Sequence, residues 1–128
     1  VNLLLDTHTL IWYLEGNQEL SQTCQNLIEE RSNTNFVSIA SFWEIAIKLS
    51  IGGKLELSKP FEHLNQLVWE NNITVLPIRF DHTVIVRSLP FHHKDPFDRI
   101  IITQSIVDDM PVLSRDSYFD AYPIRRLW

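Results

Sequence analysis

Short apolar runs alternate with stretches of helical periodicity along the whole chain, and this alternation restricts the fold more than any single residue does. Val1 to Leu5, Phe36-Val37, Ile73 to Ile78 and Val112-Leu113 are the strand-like runs. Between them, apolar residues recur three or four positions apart, as on one face of a helix. Leu10, Ile11 and Leu14 form the first such stripe, which stops at Gly16-Asn17. The second runs from Ser21 to Arg31 and turns Cys24, Leu27 and Ile28 inward. Ser38 is placed to cap a third, in which Ile39, Phe42, Trp43, Ala46, Ile47 and Leu49 make a broad apolar face that Gly52-Gly53 ends. Pro60 opens a fourth through Phe61, Leu64, Leu67 and Val68, reaching Asn71-Asn72. Asp81 to Leu89 and Pro96 to Val107 complete the set, with an edge strand expected around Ile124. Strands that alternate with helices predict an α/β chain with a mainly parallel sheet covered on both faces.

The 128 residues are the size of one domain, spanning 1–128, and 45 % are hydrophobic, enough for a core. Cys24 is the only cysteine, so no internal disulfide forms and no thiolate metal site is available; it reads as helix packing. No apolar stretch approaches the roughly 20 residues of a membrane span, and a cytoplasmic protein with no membrane association is expected. A net charge of −5 argues against broad nonspecific attraction to nucleic acid, while leaving room for a local basic rim. Lys48, Lys54, Lys94, Arg99 and Arg115 all fall near acids.

Those acids carry the functional signal. Asp6 closes the first strand and Asp116 follows the Val112-Leu113 strand, and parallel sheets bind ligands beyond the carboxyl ends of their strands. Glu44 lies on the third helix and Asp98 near the start of the last. Four carboxylates gathered in one pocket repel one another unless protons or a cation neutralise them. Oxygen donors of this kind suit Mg²⁺ or Mn²⁺, and paired ions of that type promote phosphodiester cleavage. Each acid also has a structural role open to it. Asp6 can cap the first helix, Asp116 can form an Asx turn, and Asp95-Pro96-Phe97-Asp98 reads as N-cap, N1, N2 and N3. Glu44 interrupts the apolar run Ile39 to Ile47, so burial there demands a partner; its other settings are the polar helix side or a capping box with Ser41. His8 and His93 lie near these acids and are candidates for phosphate contact. Lys48, one turn after Glu44, also suits an ordinary surface pair.

Three segments in order, Leu3-Leu4-Leu5-Asp6-Thr7-His8, Ser38 to Lys48, and His92-His93-Lys94-Asp95-Pro96-Phe97-Asp98-Arg99, resemble those of PIN-domain nucleases. With Leu113-Ser114-Arg115-Asp116 and Trp128, the chain is similar over its full length to VapC-type toxins of bacterial type II toxin-antitoxin systems. The resemblance implies a PIN-like α/β/α sandwich with a central, mainly parallel sheet. It also implies an Mg²⁺- or Mn²⁺-dependent ribonuclease in which Asp6, Glu44, Asp98 and Asp116 are the catalytic and metal-binding acids. Asp95 is an added ligand or only the helix cap. Lys48, Arg99, Ser114 and Arg115 are the substrate-side candidates, Ser114 standing where related motifs often carry Thr. The implied partners are RNA, a small VapB-like antitoxin that inserts a cationic side chain into the acids, and a second copy of the chain. The rival reading is a noncatalytic α/β interaction domain whose acids are caps and surface charges.

Overall fold

The computed structural model describes residues 1–128. In chain order the strands are β1 (Asn2–Leu5), β2 (Thr34–Ser38), β3 (Ile73–Leu76), β4 (Val112–Leu113) and β5 (Arg126–Leu127). The α-helices are α1 (Thr7–Glu15), α2 (Gln22–Glu29), α3 (Ile39–Ile51), α4 (Leu64–Glu70), α5 (Phe80–Ser88) and α6 (Pro96–Asp108). All strands are parallel and lie in the order β3-β2-β1-β4-β5, which puts the first strand at the centre. Parallel neighbours force every connection to cross back over the sheet, and the helices on both faces are those crossovers. The parallel sheet covered on both faces that the alternation predicts, and the α/β/α sandwich that the resemblance implies, are the fold observed.

The period of two in β1 divides the core between the faces. Leu3 and Leu5 pack with Leu10, Ile11, Cys24, Ile28 and Ile45 from α1, α2 and α3. Leu4, between them, packs on the other face with Ile101 and Ile102 of α6 and with Phe119 and Tyr122. β4 divides in the same way, Val112 joining the second cluster and Leu113 the first. Both faces of the central strands are therefore dry, which is why these strands read as unbroken apolar runs.

Local signals set the ends of the elements. Asp6 accepts a hydrogen bond from the Thr9 backbone N–H as N-cap of α1, and Gly16 closes that helix at φ 63°, in the left-handed region. Ser38 caps α3 through the Ala40 N–H. β3 stops at Leu76 rather than continuing to Ile78, since Pro77 has no N–H for the sheet. The last strand forms at Arg126–Leu127, beyond the expected position at Ile124; Pro123 keeps the segment around Ile124 out of the ladder. α5 and α6 are locked together by buried His82. Its Nδ1 accepts from the Arg79 N–H, leaving Nε2 to meet Asp108 Oδ2 at 2.9 Å, while Arg79 itself pairs with Asp108 at 2.7 Å.

The apolar face expected on α3 is only partly core: Trp43 is 61 % exposed and touches Phe97 of α6 edge-on, with ring centroids 5.0 Å apart, and Ile39 is also exposed. No helix is long and apolar enough to cross a membrane. Because Leu5 is fully buried in the central strand, Leu5→Ala is expected to cost about 2–5 kcal/mol in denaturant unfolding. A loss below about 1 kcal/mol would contradict this packing.

Candidate metal centre

The carboxyl ends of β1 and β4 open on the same side of the parallel sheet, and the N-termini of α1 and α6 and of the 3-10 turn Ser117–Ala121 adjoin them. Asp6, Asp95 and Asp116 are the N-caps of these three segments. In each, the cap uses Oδ1 alone. Asp6 takes the Thr9 N–H at 2.9 Å, Asp95 the Phe97 and Asp98 N–H groups at 2.8 and 3.1 Å, and Asp116 the Tyr118 N–H at 2.9 Å. Capping thus holds each carboxylate rigidly while keeping its second oxygen for other work. Asp98 stands one turn into α6, above the Asp95 cap.

Glu44 is only 3 % exposed, which removes the solvent-facing position as an account of it. Nor does it belong to a capping box, because Ser38 is the cap and Glu44 lies deeper in α3. Thr7 Oγ1 donates to Glu44 Oε1 at 2.6 Å and lies 2.9 Å from Ser41 Oγ. Lys48 Nζ reaches Glu44 Oε2 at 2.7 Å, with its side chain 43 % exposed. The expected surface pair is therefore a half-exposed cation on a buried acid. Despite the burial that opposes its charge, Lys48 titrates above its ordinary value, because Glu44, Asp95 and Asp98 all favour the ammonium.

The electrostatic strain of the arrangement falls on Asp98. Burial, followed by the charges of Asp95, Asp6, Glu44 and Asp116, pushes its carboxyl up to about 8. Asp6 is raised as well, by burial; hydrogen bonds from Ser114 and Thr9 offset part of that. Five carboxylates from four separate segments, Asp95 and Asp98 sharing the start of α6, therefore act on one small region. The donors are hard oxygens with no thiolate among them, and the excess negative charge calls for a cation, a combination that fits Mg²⁺ or Mn²⁺.

The tightest grouping of metal-ligand atoms is Asp98, Asp116 and His93, within 4.8 Å of one another; Asp6 and Glu44 stand outside it. His93 Nδ1 accepts the Asp95 N–H at 3.2 Å, which leaves the ring proton on Nε2. That nitrogen lies 2.8 Å from Asp116 Oδ2 and 3.2 Å from Asp98 Oδ2. His93 is therefore a bridge between two of the acids rather than an outlying contact for phosphate. Its spacing from the cap was the available signal: two residues before Asp95, an imidazole can accept from the backbone N–H of the cap. His8 is exposed and packs instead near Trp12, with ring centroids 5.5 Å apart.

The substrate-side candidates separate. Arg99 is turned inward and 6 % exposed; it donates to the carbonyls of Val86, Leu89, Pro90 and His93 and stacks 3.8 Å over Phe91. It ties the α5–α6 connection together and is a structural residue, correcting the substrate role expected for it. Ser114 is fully buried, accepting the Asp116 N–H at 3.0 Å and supporting Asp6. It holds two acids rather than facing a substrate. Arg115 is exposed and paired with Glu19. Of these four candidates, Lys48 and Arg115 are the ones open to solvent.

The Asp98 shift has a consequence for stability. An unfolded aspartate titrates near about 3.9, so between there and about 8 the metal-free folded chain keeps a proton that the unfolded chain releases. The folded state binds more protons in this window, and stability falls as pH rises through it. Thermal unfolding in EDTA from about pH 5 to pH 8 is expected to show a falling Tm that Asp98→Asn flattens. Parallel slopes for the two proteins would show that Asp98 is not the strained group.

Comparison with known proteins bears on what this arrangement belongs to. No curated protein matched in sequence. Among solved structures, the VapBC2 complex of Rickettsia felis bound to a promoter DNA fragment is similar, with a TM-score of 0.70 and 14 % identity, covering 99 % of this chain and 98 % of that one. The FitAB complex bound to a DNA fragment is also similar, with a TM-score of 0.65 and 16 % identity over 98 % of this chain and 93 % of the other. At these identities the likeness speaks for the fold. The PIN domain family matches residues 3–124, nearly the whole length, and the chain belongs to that family.

Proposed function

We propose that the protein is a metal-dependent endoribonuclease and the toxin of a type II toxin-antitoxin pair. The observation that carries this reading is the gathering of Asp6, Glu44, Asp95 and Asp116 around Asp98 at the carboxyl end of the sheet, where burial first and then these charges raise its carboxyl. The PIN domain match supports nuclease chemistry, and the two similar solved structures, both complexes named for a toxin-antitoxin pair, support the biological setting.

Asp6, Glu44, Asp98 and Asp116 would hold the ion, with Asp95 positioning Asp98 through its cap. A bound Mg²⁺ or Mn²⁺ supplies the acidity that makes water nucleophilic at neutral pH and offsets charge on the phosphate. The chain's own groups do the rest. Thr7, itself paired with Ser41, fixes Glu44, Ser114 and the Thr9 N–H fix Asp6, and His93 fixes Asp98 against Asp116. Lys48, half exposed on the rim, is placed to meet a phosphodiester as it approaches the acids. The substrate is RNA, and the leaving group is a 3′-hydroxyl.

A small VapB-like antitoxin would silence the enzyme by inserting an Arg or Lys among the acids. Lys48 supports this, since its ammonium already satisfies Glu44 at 2.7 Å. A homodimer is supported by apolar side chains left in solvent on α3, α5 and their surroundings, where Trp43 is 61 %, Phe80 83 % and Phe91 75 % exposed.

Cleavage of single-stranded RNA is expected with Mn²⁺, and Asp6→Asn or EDTA should reduce it by at least about a hundredfold, the scale of losing a charge-stabilising group. Full activity surviving both treatments would refute the mechanism. For the dimer, Trp43→Glu is expected to move the protein to monomer mass in light scattering at micromolar concentration; a parent protein already monomeric at that concentration would remove the proposal.

A further inference from the structure

A cleft of about 570 Å³ opens beside the acids, and Thr7 and Lys48, the two side chains bonded to Glu44, are among its lining residues. His8, Trp12, Asn17 and Lys54 also line it. Its volume falls within the roughly 300–1,000 Å³ typical of small-ligand sites. The chemistry of the lining is mixed. His8 is exposed and lies against Trp12 at a tilt of 44°, and half-buried Trp12 also packs near Trp128, 5.8 Å between centroids, so the His8 ring and the uncovered part of Trp12 offer aromatic surface beside two lysine side chains. The Arg115 guanidinium also approaches Trp12, 5.8 Å from the ring centroid. Of the two acids on the lining, Glu15 is engaged by the Ser58 N–H and hydroxyl, which leaves Glu56 opposed to the lysines.

An aromatic surface with cations on its flank, adjoining the acid cluster through Thr7 and Lys48, matches the way single-stranded nucleic acid is bound: bases stack on rings while basic groups follow the backbone. The neighbouring crevice differs. It has room for only about 40 Å³ and is lined by Leu14, Leu57, Pro60, Leu64 and Leu67, a setting for an apolar protein side chain rather than a nucleotide. We infer that the larger cleft is a nucleotide subsite, which takes one base of single-stranded RNA next to the phosphate held at the acids. Trp12 and His8 stack on that base and Lys54 meets a flanking phosphate. This rests on the ribonuclease reading for the placement of the scissile phosphate, but the subsite is measurable without cleavage.

The test is fluorescence anisotropy of a labelled single-stranded oligoribonucleotide, with Ca²⁺ replacing Mn²⁺ and gel analysis to verify an intact strand. His8→Ala, an exposed substitution with little bearing on folding, and Trp12→Leu are each expected to weaken binding at least fivefold without altering its salt dependence. Lys54→Ala is expected to weaken binding and to reduce the slope of log affinity against log salt by about 0.7, the value for one phosphate contact on a single strand. Trp69→Ala, on exposed surface elsewhere, serves as the unaffected control. A parallel Mn²⁺ cleavage assay separates the two claims. Binding that depends on His8 and Lys54 in a protein that does not cleave would keep the subsite and reject the nuclease. Cleavage by the parent, with binding unchanged in all three variants, would reject the subsite and keep the nuclease. Weakening confined to an antitoxin, with RNA binding intact, would overturn the assignment in favour of protein docking, and a parent that neither binds nor cleaves RNA would overturn both.

Discussion

Mutual repulsion among carboxylates at the end of the central sheet is the constraint around which the rest of the structure is arranged. Asp6, Glu44, Asp95, Asp98 and Asp116 come from four segments, and burial together with their mutual charge raises Asp98 far above an ordinary aspartate. An isolated cluster of this kind would oppose folding. The protein answers with donors that it carries itself: the Lys48 ammonium on Glu44, the His93 ring between Asp98 and Asp116, and the Thr7 hydroxyl on Glu44. These contacts let the acids stay gathered before any ion or phosphate arrives.

Helix capping and site formation prove to be one device. A carboxylate has two oxygens, and Asp6, Asp95 and Asp116 each spend Oδ1 on backbone N–H groups at the start of a helical segment. The cap fixes the rotamer, and the field of the helix N-terminus favours the negative charge. Capping and ligand roles therefore do not compete at these positions. The same economy explains Ser114, whose hydroxyl accepts the Asp116 N–H and supports Asp6 although it touches no solvent.

Residues misjudged from sequence are those whose role depends on distant backbone. Arg99 sits beside Asp98 in the chain, yet in a helix adjacent residues point in different directions, and its guanidinium turns into the carbonyls of the α5–α6 connection. His93 has no regular spacing to a second ligand, and its place between Asp98 and Asp116 exists only once the loop after β4 lies against the start of α6. Trp43 and Ile39 fit the apolar period of α3 but lie on a part of the helix that this chain covers only partly, through the edge contact of Trp43 with Phe97, so they remain exposed. Periodicity records which residues share a face, not what packs against it.

The alternation of strand and helix, the core-facing residues of β1 and β4, the caps at Asp6, Ser38 and Asp95, and the stop at Gly16 are all local, since each follows from period, side-chain reach or a permitted φ within a few residues. Those features determine a parallel sheet covered on both faces, and with it the edge on which a site has to lie. Convergence is a different matter. Whether Asp6 and Asp116, 110 positions apart, act on the same carboxyl depends on β4 pairing beside β1, which places Leu113 opposite Leu5. Only the folded sheet brings charges from such remote segments within Coulombic reach of Asp98. Electrostatic energy depends on distance through space, which sequence separation does not encode.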